Sequence, residues 1–186
     1  MNSIKQIEVL LADRLVGRLA LTKEGLCAFE YAPDWLGSGF SISPFELPLR
    51  SGVFIAKPRP FEGGFGVFDD CLPDGWGLLI VDRYLQQKGI NPRALTLLDR
   101  LALVGSSGRG ALEFRPDHSV VTRQDYADFE KLALEAERIL GSDEYRGKGI
   151  EEFQDRGGSP GGARPKIFAR YEGKEWLVKF RAKRDP

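Results

Sequence analysis

The sequence predicts an α+β protein: an N-terminal β-rich meander, barrel-like in character, with packed helices, followed by a β-hairpin. Three observations predict it. Short β-branched runs separated by tight-turn residues fill the first 31 positions. Segments of helical period follow between about residues 76 and 140. A glycine-rich stretch then leads into two closely spaced strand-like runs at 166–171 and 176–180. The expected division is residues 1–120 as one subdomain, 121–155 as a helix and connection, and 156–186 as the glycine loop and hairpin.

In chain order, Ile7–Leu11 and Leu15–Thr22 are apolar runs broken at Asp13 and Arg14. Lys23, Glu24 and Gly25 turn the chain into Leu26–Tyr31, where Cys27 and Phe29 alternate with Ala28 and Glu30. Period-two alternation between turn signals predicts a three-stranded meander, ended by Pro33, Gly37 and Gly39. In the proline-rich block that follows, Phe40–Ser43 and Val53–Ile55 read as extended. Pro44, Pro48, Pro58 and Pro60 forbid long regular elements between them, because proline lacks the N–H that helix and sheet ladders use.

Asp69, Asp70 and Asp74 place three carboxylates within six positions. They could hold a hard cation through oxygen ligands. The favoured reading is capping of the helix that follows, since carboxylates satisfy free N–H groups at a helix start. That helix, roughly Trp76–Gln87, carries Leu79, Ile80, Arg83 and Tyr84 at helical spacing, with Gly89 at the left-handed C-cap position. Asn91-Pro92 reads as the start of a second helix, striped by Leu95, Leu98, Leu101 and Ala102 and stopped by Gly105. The glycine-rich run Gly105–Gly110 follows a helix rather than preceding one, so it reads as a turn into an edge strand at Leu112–Phe114.

His118, the only histidine, sits in a turn with no sequence-near nucleophile or second ligand, and a surface position is expected. From Thr122 to Leu140 the apolar residues Tyr126, Phe129, Leu132, Ala133, Ala136, Ile139 and Leu140 share one helical face. Thr122 and Asp125 are spaced as a capping box. Glu130, Lys131, Glu135, Glu137 and Arg138 are expected in solvent, and 142–154 reads as a polar connection. Gly147-Lys148 is not a phosphate-binding Walker loop, because Ser142 and Gly149 stand where its glycine and hydroxyl residue belong.

The stretch Gly157–Phe180 has the most chemistry. Gly157, Gly158, Gly161 and Gly162 precede the run Lys166–Tyr171, a turn at Glu172–Lys174 returns the chain, and Trp176–Phe180 carries Lys179. Glycines let backbone N–H groups approach phosphate oxygens, and a lysine supplies a compact positive charge. On spacing alone, a flexible linker before an ordinary hairpin accounts for the same residues.

Composition excludes several classes. Hydrophobic residues make up 42% and charged residues 29%, ordinary for a globular protein, and 27 basic residues balance 27 acidic ones. No bulk charge favours nucleic acid or a membrane surface. No apolar run approaches the ~18 residues that would span a bilayer. The N-terminus lacks a basic start and apolar core, and the two cysteines, Cys27 and Cys71, share no metal-ligand spacing. A cytoplasmic protein with reduced thiols and no membrane partner is expected.

The segments GGSPGGARPK and WLVKF resemble the start of the kinase lobe in HipA-type toxins, serine/threonine kinases of bacterial toxin–antitoxin pairs. In that family a Ser-x-Gly-Gly-Ala-x-x-Lys loop covers the ATP phosphates and a lysine in the next strand contacts them. The matching residues are Ser159, Gly161, Gly162, Ala163, Lys166 and Lys179. The resemblance also implies autophosphorylation at Ser159. Pro160 departs from the plainest form of the loop by removing one N–H donor. Phe68, Leu72, Pro73, Gly75 and Trp76, and later Gly105, Gly110, Ala111, Leu112, Phe114 and Pro116, resemble the HipA N-terminal subdomain. Together the likeness covers most of residues 16–186, and the hairpin would be the first of a kinase-like N-lobe.

The resemblance implies ATP and magnesium as the nucleotide and metal of the complete protein. It also implies a helix-turn-helix antitoxin of HipB type as partner, DNA contact only through that antitoxin, and a protein substrate involved in translation. Phosphoryl transfer further requires magnesium ligands and a residue that orients the nucleophile. In the family these are aspartates well downstream of the lysine. No catalytic or metal-binding residue is therefore expected in this chain, which alone should be inactive for want of the C-terminal lobe. Two other classes stay open: a non-catalytic module that binds a separate kinase or antitoxin chain, and a stand-alone enzyme using the acidic trio.

Overall fold

The computed structural model describes residues 4–73, 75–119, 129–142, 147, 150, 151, 153, 162–171 and 173–181. These fall into two compact units: residues 1–72 with 94–119, and residues 73–93 with 120–186. The division does not follow a single cut in the sequence, because the segment 73–93 belongs with the C-terminal part.

The first unit is built on β1 (Gln6–Leu11), β2 (Arg14–Leu21), β3 (Cys27–Tyr31), β4 (Val53–Ile55) and β5 (Leu112–Arg115). They form one antiparallel sheet in the order β4-β3-β2-β1-β5. The sheet is open, with β4 and β5 as its edges, so the meander is realised without barrel closure. Ala12 and Asp13, both at positive φ, make the two-residue β1–β2 turn, whose twist matches that of the flanking strands. Gly25, at φ +81°, makes the next turn.

Alternation sorts the sheet's two faces, broken in β1 by a register shift at Val9 and Leu10, which are both buried. Ile7, Leu19, Phe29 and Phe54 pair across four strands in one inward row, and all are buried. Across the outer face runs Val53–Glu30–Arg18–Glu8–Arg115, a row of alternating charge beyond Val53. Gly17 is required where it stands: a Cβ there would lie 2.3 Å from the Glu30 carbonyl oxygen and 2.6 Å from the Phe29 ring.

Two elements differ from expectation. The meander ends before Pro33 as expected, β3 stopping at Tyr31, but Pro33 then opens an unexpected helix, α1 (Pro33–Ser38), where its fixed φ suits a first helical turn. Phe40–Ser43 is not a strand; a single bridge joins Ser43 to Leu47. This block is held by Tyr31, whose hydroxyl donates to the Leu47 carbonyl at 2.6 Å and accepts from the Ile42 amide at 3.1 Å. A short helix, α2 (Gly66–Asp69), buries Phe68 against Phe29 and Phe114.

The helix expected from Asn91 also starts elsewhere. Asn91 Oδ1 accepts from the Arg93 amide, but this caps only a single 3₁₀ turn, Pro92–Ala94. The true α4 (Leu97–Val104) is capped by Thr96, with Asp99 completing a reciprocal capping box. Asp99 is 3% exposed. Its carboxylate accepts from the Ile4 amide at 3.1 Å and from the Thr96 amide and hydroxyl at 2.9 and 2.7 Å. Burial pushes this carboxyl up, but those hydrogen bonds, helped by the nearby His118 charge, outweigh it and hold it below the ordinary range. Leu98 and Leu101 complete the core above the sheet.

The second unit contains α3 (Gly75–Gln87), α5 (Phe129–Gly141) and the hairpin β6 (Lys166–Tyr171) and β7 (Lys174–Lys179). Gly89 ends α3 as expected: it and Ile90 donate to the carbonyls of Gln86 and Leu85, a Schellman pair. Thr122, Asp125 and Tyr126 lie outside the described residues. Leu132, Ala136 and Ile139 are fully buried, whereas Leu140 is largely exposed. Glu135, expected in solvent, is buried and accepts from Arg138 at 2.7 Å.

The stretch 142–154 is not merely a polar connection. Ile150 and Phe153 are buried in the same core as Trp76, Ile80 and Ile167. Gln87 donates to the Gly147 carbonyl at 3.2 Å, and Lys88 pairs with Glu151 at 2.9 Å.

Candidate functional site: the glycine loop and its lysine hairpin

The hairpin returns between Tyr171 and Lys174, with Gly173 at φ +73°; Lys174, expected in the turn, instead opens β7. Tyr171 then pairs with Lys174, and the count back along both strands sets Lys166 opposite Lys179. Ile167 opposite Val178 and Ala169 opposite Trp176 form the alternate rows. Ile167 and Ala169 are buried in the unit's core, so the two lysines belong to the opposite face.

The Phe180 amide donates to the Pro165 carbonyl at 2.8 Å, a bond that flanks the lysine pair. Lys166 and Lys179 therefore form a non-hydrogen-bonded pair, the kind whose Cα atoms approach to about 4.5 Å. Like charges directly opposite destabilise a strand pair, and an anion shared between them reverses that sign.

Lys166 is 5% exposed and Lys179 is exposed. The Lys166 side chain curls back toward the loop: a Cβ built on Gly162 would lie 3.1 Å from its Nζ. Gly162 has φ +99°, a conformation that favours glycine. Ala163 is exposed between the two. The structure thus brings Gly162, Ala163, Lys166 and Lys179 to one end of one hairpin. Ser159, Pro160 and Gly161 lie outside the described residues.

Helix α3 also reaches the loop, which sequence reasoning missed. The Trp76 amide donates to the Gly162 carbonyl at 3.1 Å, and Gly75, at φ +44°, packs directly on the Gly162–Ala163 backbone. Leu72, Pro73, Gly75 and Trp76 stand out in the sequence as part of the likeness to the HipA N-terminal subdomain and as a helix start, and neither signal tells of a remote backbone contact.

The remaining candidates separate. Asp69 lies inside α2 and Asp70 at its C-cap, so neither caps α3, and Asp74 lies outside the described residues. Burial, then the charges of Asp70 and Glu62, raise the Asp69 carboxyl. Among the described residues no cluster of three or more His, Cys, Asp or Glu could hold a metal ion. His118 is exposed, and its amide donates to the Ala102 carbonyl. The Gly105 loop is tied down by Asp117, which accepts from the Ser106 amide, and it leads into edge strand β5 as expected. A cleft of about 410 Å³ in the first unit is lined by Arg14, Arg18, Asp34 and Trp35, with the Arg14 guanidinium stacked 4.9 Å over the Trp35 ring. No helix of the described residues is long and apolar enough to cross a membrane.

An open five-stranded antiparallel sheet with helices, joined to a second unit bearing a glycine loop and hairpin, defines an α+β protein of HipA-like architecture. The chain belongs to the HipA N-terminal domain family, whose match runs over residues 7–115. Among solved structures it is similar to a chain in the Shewanella oneidensis MR-1 toxin–antitoxin complex of HipA, HipB and operator DNA. That likeness has a TM-score of 0.53 at 23% identity, covering 92% of this chain and 37% of that one. It is a likeness of fold, and this chain spans about 37% of the length of its neighbour.

Proposed function

We propose that this chain is the N-terminal portion of a HipA-like toxin of a toxin–antitoxin system, whose complete form is an ATP-dependent protein serine/threonine kinase. The observation that carries the reading is the register of the hairpin. It sets Lys166 opposite Lys179 beside Gly162, two ammonium-bearing strands and a positive-φ glycine at one place. Backbone amides of the loop and the two lysines would hold the phosphates of ATP, with Ser159 as the autophosphorylation site.

The magnesium ligands and the nucleophile-orienting residue would come from a C-terminal lobe of the complete protein. The metal would neutralise charge on the transferring phosphoryl group. By itself the 186-residue chain is then inactive. A HipB-type helix-turn-helix antitoxin is the expected partner, with DNA reached only through it, and the protein substrate belongs to translation.

A second reading draws on one observation. Trp176 and Leu177 on β7 are both about half exposed. They offer apolar area to another chain, as a non-catalytic module binding a separate kinase or antitoxin would require.

Transfer of labelled γ-phosphate by the complete protein separates the two. Under the kinase reading, Lys179→Ala lowers the rate by about 100-fold or more while the fold persists, since it removes a charge aimed at the phosphates. Normal transfer by the variant overturns the lysine's assignment. Absence of transfer and of ATP binding by the unmodified complete protein favours the interaction module.

A further inference from the structure

A contact between helix α3 and the glycine loop has no part in the fold of either element taken alone. The first N–H groups of a helix have no partner within the helix. In α3 the Trp76 amide finds one in the Gly162 carbonyl, at 3.1 Å. Gly75 makes this approach possible. A Cβ added there would stand 2.6 Å from the Gly162 carbonyl carbon, 2.7 Å from its oxygen and 2.8 Å from the Ala163 nitrogen. All three are backbone atoms, which cannot swing aside as a flexible side-chain tip can.

The Trp76 ring closes a circuit with the same loop. It is buried and stacks edge-on against Phe153, with centroids 5.1 Å apart. Phe153 stacks in turn on Phe180 at 5.9 Å. The Phe180 amide bonds the Pro165 carbonyl, three residues beyond Gly162. The descending limb of the loop, 162–165, is thus held at one end by the Trp76 backbone and at the other through the Trp76 ring.

We infer that Gly75 and the Trp76 amide are positioning groups that set the height of the glycine loop over the Lys166–Lys179 pair, and so set affinity for the phosphates of a nucleoside triphosphate. The inference rests on the reading of this hairpin as a nucleotide site. It adds that the segment 73–76, far away in sequence, is part of that site's machinery. Neither group touches the nucleotide; both act through the backbone of Gly162 and Ala163.

The size of the effect follows from the contact distances. Non-bonded carbon atoms rest about 3.5–4.0 Å apart, so a methyl at 2.6 Å drives the loop back by roughly 1 Å. A displacement of that order takes the loop's N–H groups out of the ~2.7–3.2 Å range of a good hydrogen bond to a phosphate oxygen, so the loss falls on affinity. Gly89, at the other end of α3, supplies a matched control. It also has positive φ, at +75°, but a Cβ there meets nothing within 4 Å. Gly89→Ala therefore shares the backbone strain of Gly75→Ala without its push on the loop.

The test measures ATP binding and the KM and kcat for ATP on the complete protein carrying this region, with Gly75→Ala, Gly89→Ala and Lys179→Ala compared. The expected result is a KM for ATP raised about tenfold or more by Gly75→Ala, with kcat less affected and Gly89→Ala close to the parent. If Gly75→Ala behaves as Gly89→Ala does while Lys179→Ala destroys activity, the positioning role is overturned and the nucleotide site stands. If Lys179→Ala leaves ATP binding and transfer intact, both fall. Should Gly75→Ala fail to fold, amide exchange on the unmodified protein decides. Magnesium-ATP is expected to slow exchange at the Trp76 amide together with the amides of residues 162–164 and 166, and a Trp76 amide indifferent to the nucleotide overturns the inference.

Discussion

Replacing Asp99 by alanine removes one carboxylate and three hydrogen bonds at once. The carboxylate accepts from the Ile4 amide, the Thr96 amide and the Thr96 hydroxyl, and the bond from the Thr96 amide is its half of the α4 capping box. A hydrogen bond to a charged group contributes about 1.5–3 kcal/mol; three that share one carboxylate are not additive and amount to about 3 kcal/mol. For a chain of this size that lowers the melting temperature by about 6–12 °C. The assay is a thermal melt followed by circular dichroism at neutral pH, repeated down to about pH 3. Because the folded carboxyl is held below its ordinary value of about 3.9, its contribution is complete above that value and disappears as pH falls through the lower, folded one. The gap between parent and Asp99→Ala should therefore be flat from neutrality to about pH 5 and shrink below about pH 4. A neutral-pH shift under about 2 °C, or a gap that does not narrow in acid, would refute the reasoning.

Three further outcomes follow from the packing and the thiols. Phe153→Ala should destabilise the second unit by about 3–5 kcal/mol, read by urea titration, since its buried ring bridges Trp76 and Phe180. A value near zero would return residues 142–154 to the status of a linker. Gly17→Ala should cost about 1–3 kcal/mol through overpacking against the Phe29 ring and the Glu30 carbonyl, measurable in the same titration. Burial pushes the thiols of both Cys27 and Cys71 up to about 11, the latter helped by the charge of Asp70. At pH 8 both should react with a disulfide reagent roughly 100-fold more slowly folded than in denaturant, because only the thiolate attacks; equal rates would show that neither is protected.

Where sequence logic succeeded and failed has physical causes. The meander was legible because one face is buried and the other solvated, which writes period two into Cys27–Tyr31. Pro33 marks the end of the meander, but helix α1 behind it was not legible, because proline both ends strands and opens helices and only the chain beyond it decides whether a helix follows. Thr96 was overlooked because Asn91-Pro92 offered the stronger cap signal five residues earlier, yet that signal was spent on one 3₁₀ turn. Ile150 and Phe153 are two apolar residues in a polar run, too sparse for periodicity, and their burial depends on partners far away in sequence. At the site, the hairpin was legible but its register was not: Lys174, read as part of the turn, is the first residue of β7, and only its pairing with Tyr171 sets Lys166 opposite Lys179. Nor was the contact from Gly75 to Gly162 legible, because it joins backbone atoms whose side chains carry no pattern.

The placement of residues 73–93 in the second unit has a consequence for synthesis on the ribosome. Helix α3 is made early, but the residues that cover its apolar side, among them Ile139, Phe153 and Ile167, follow as much as roughly 90 residues later. At about 5–20 residues per second, Trp76 and Ile80 wait some 5–20 s for their partners. The sheet of the first unit needs nothing beyond residue 119 and can close in that interval, with α3 left as an exposed apolar insertion. A nascent chain whose emerged part ends between residues 120 and 150 is then a client for chaperones even though its sheet can already be folded.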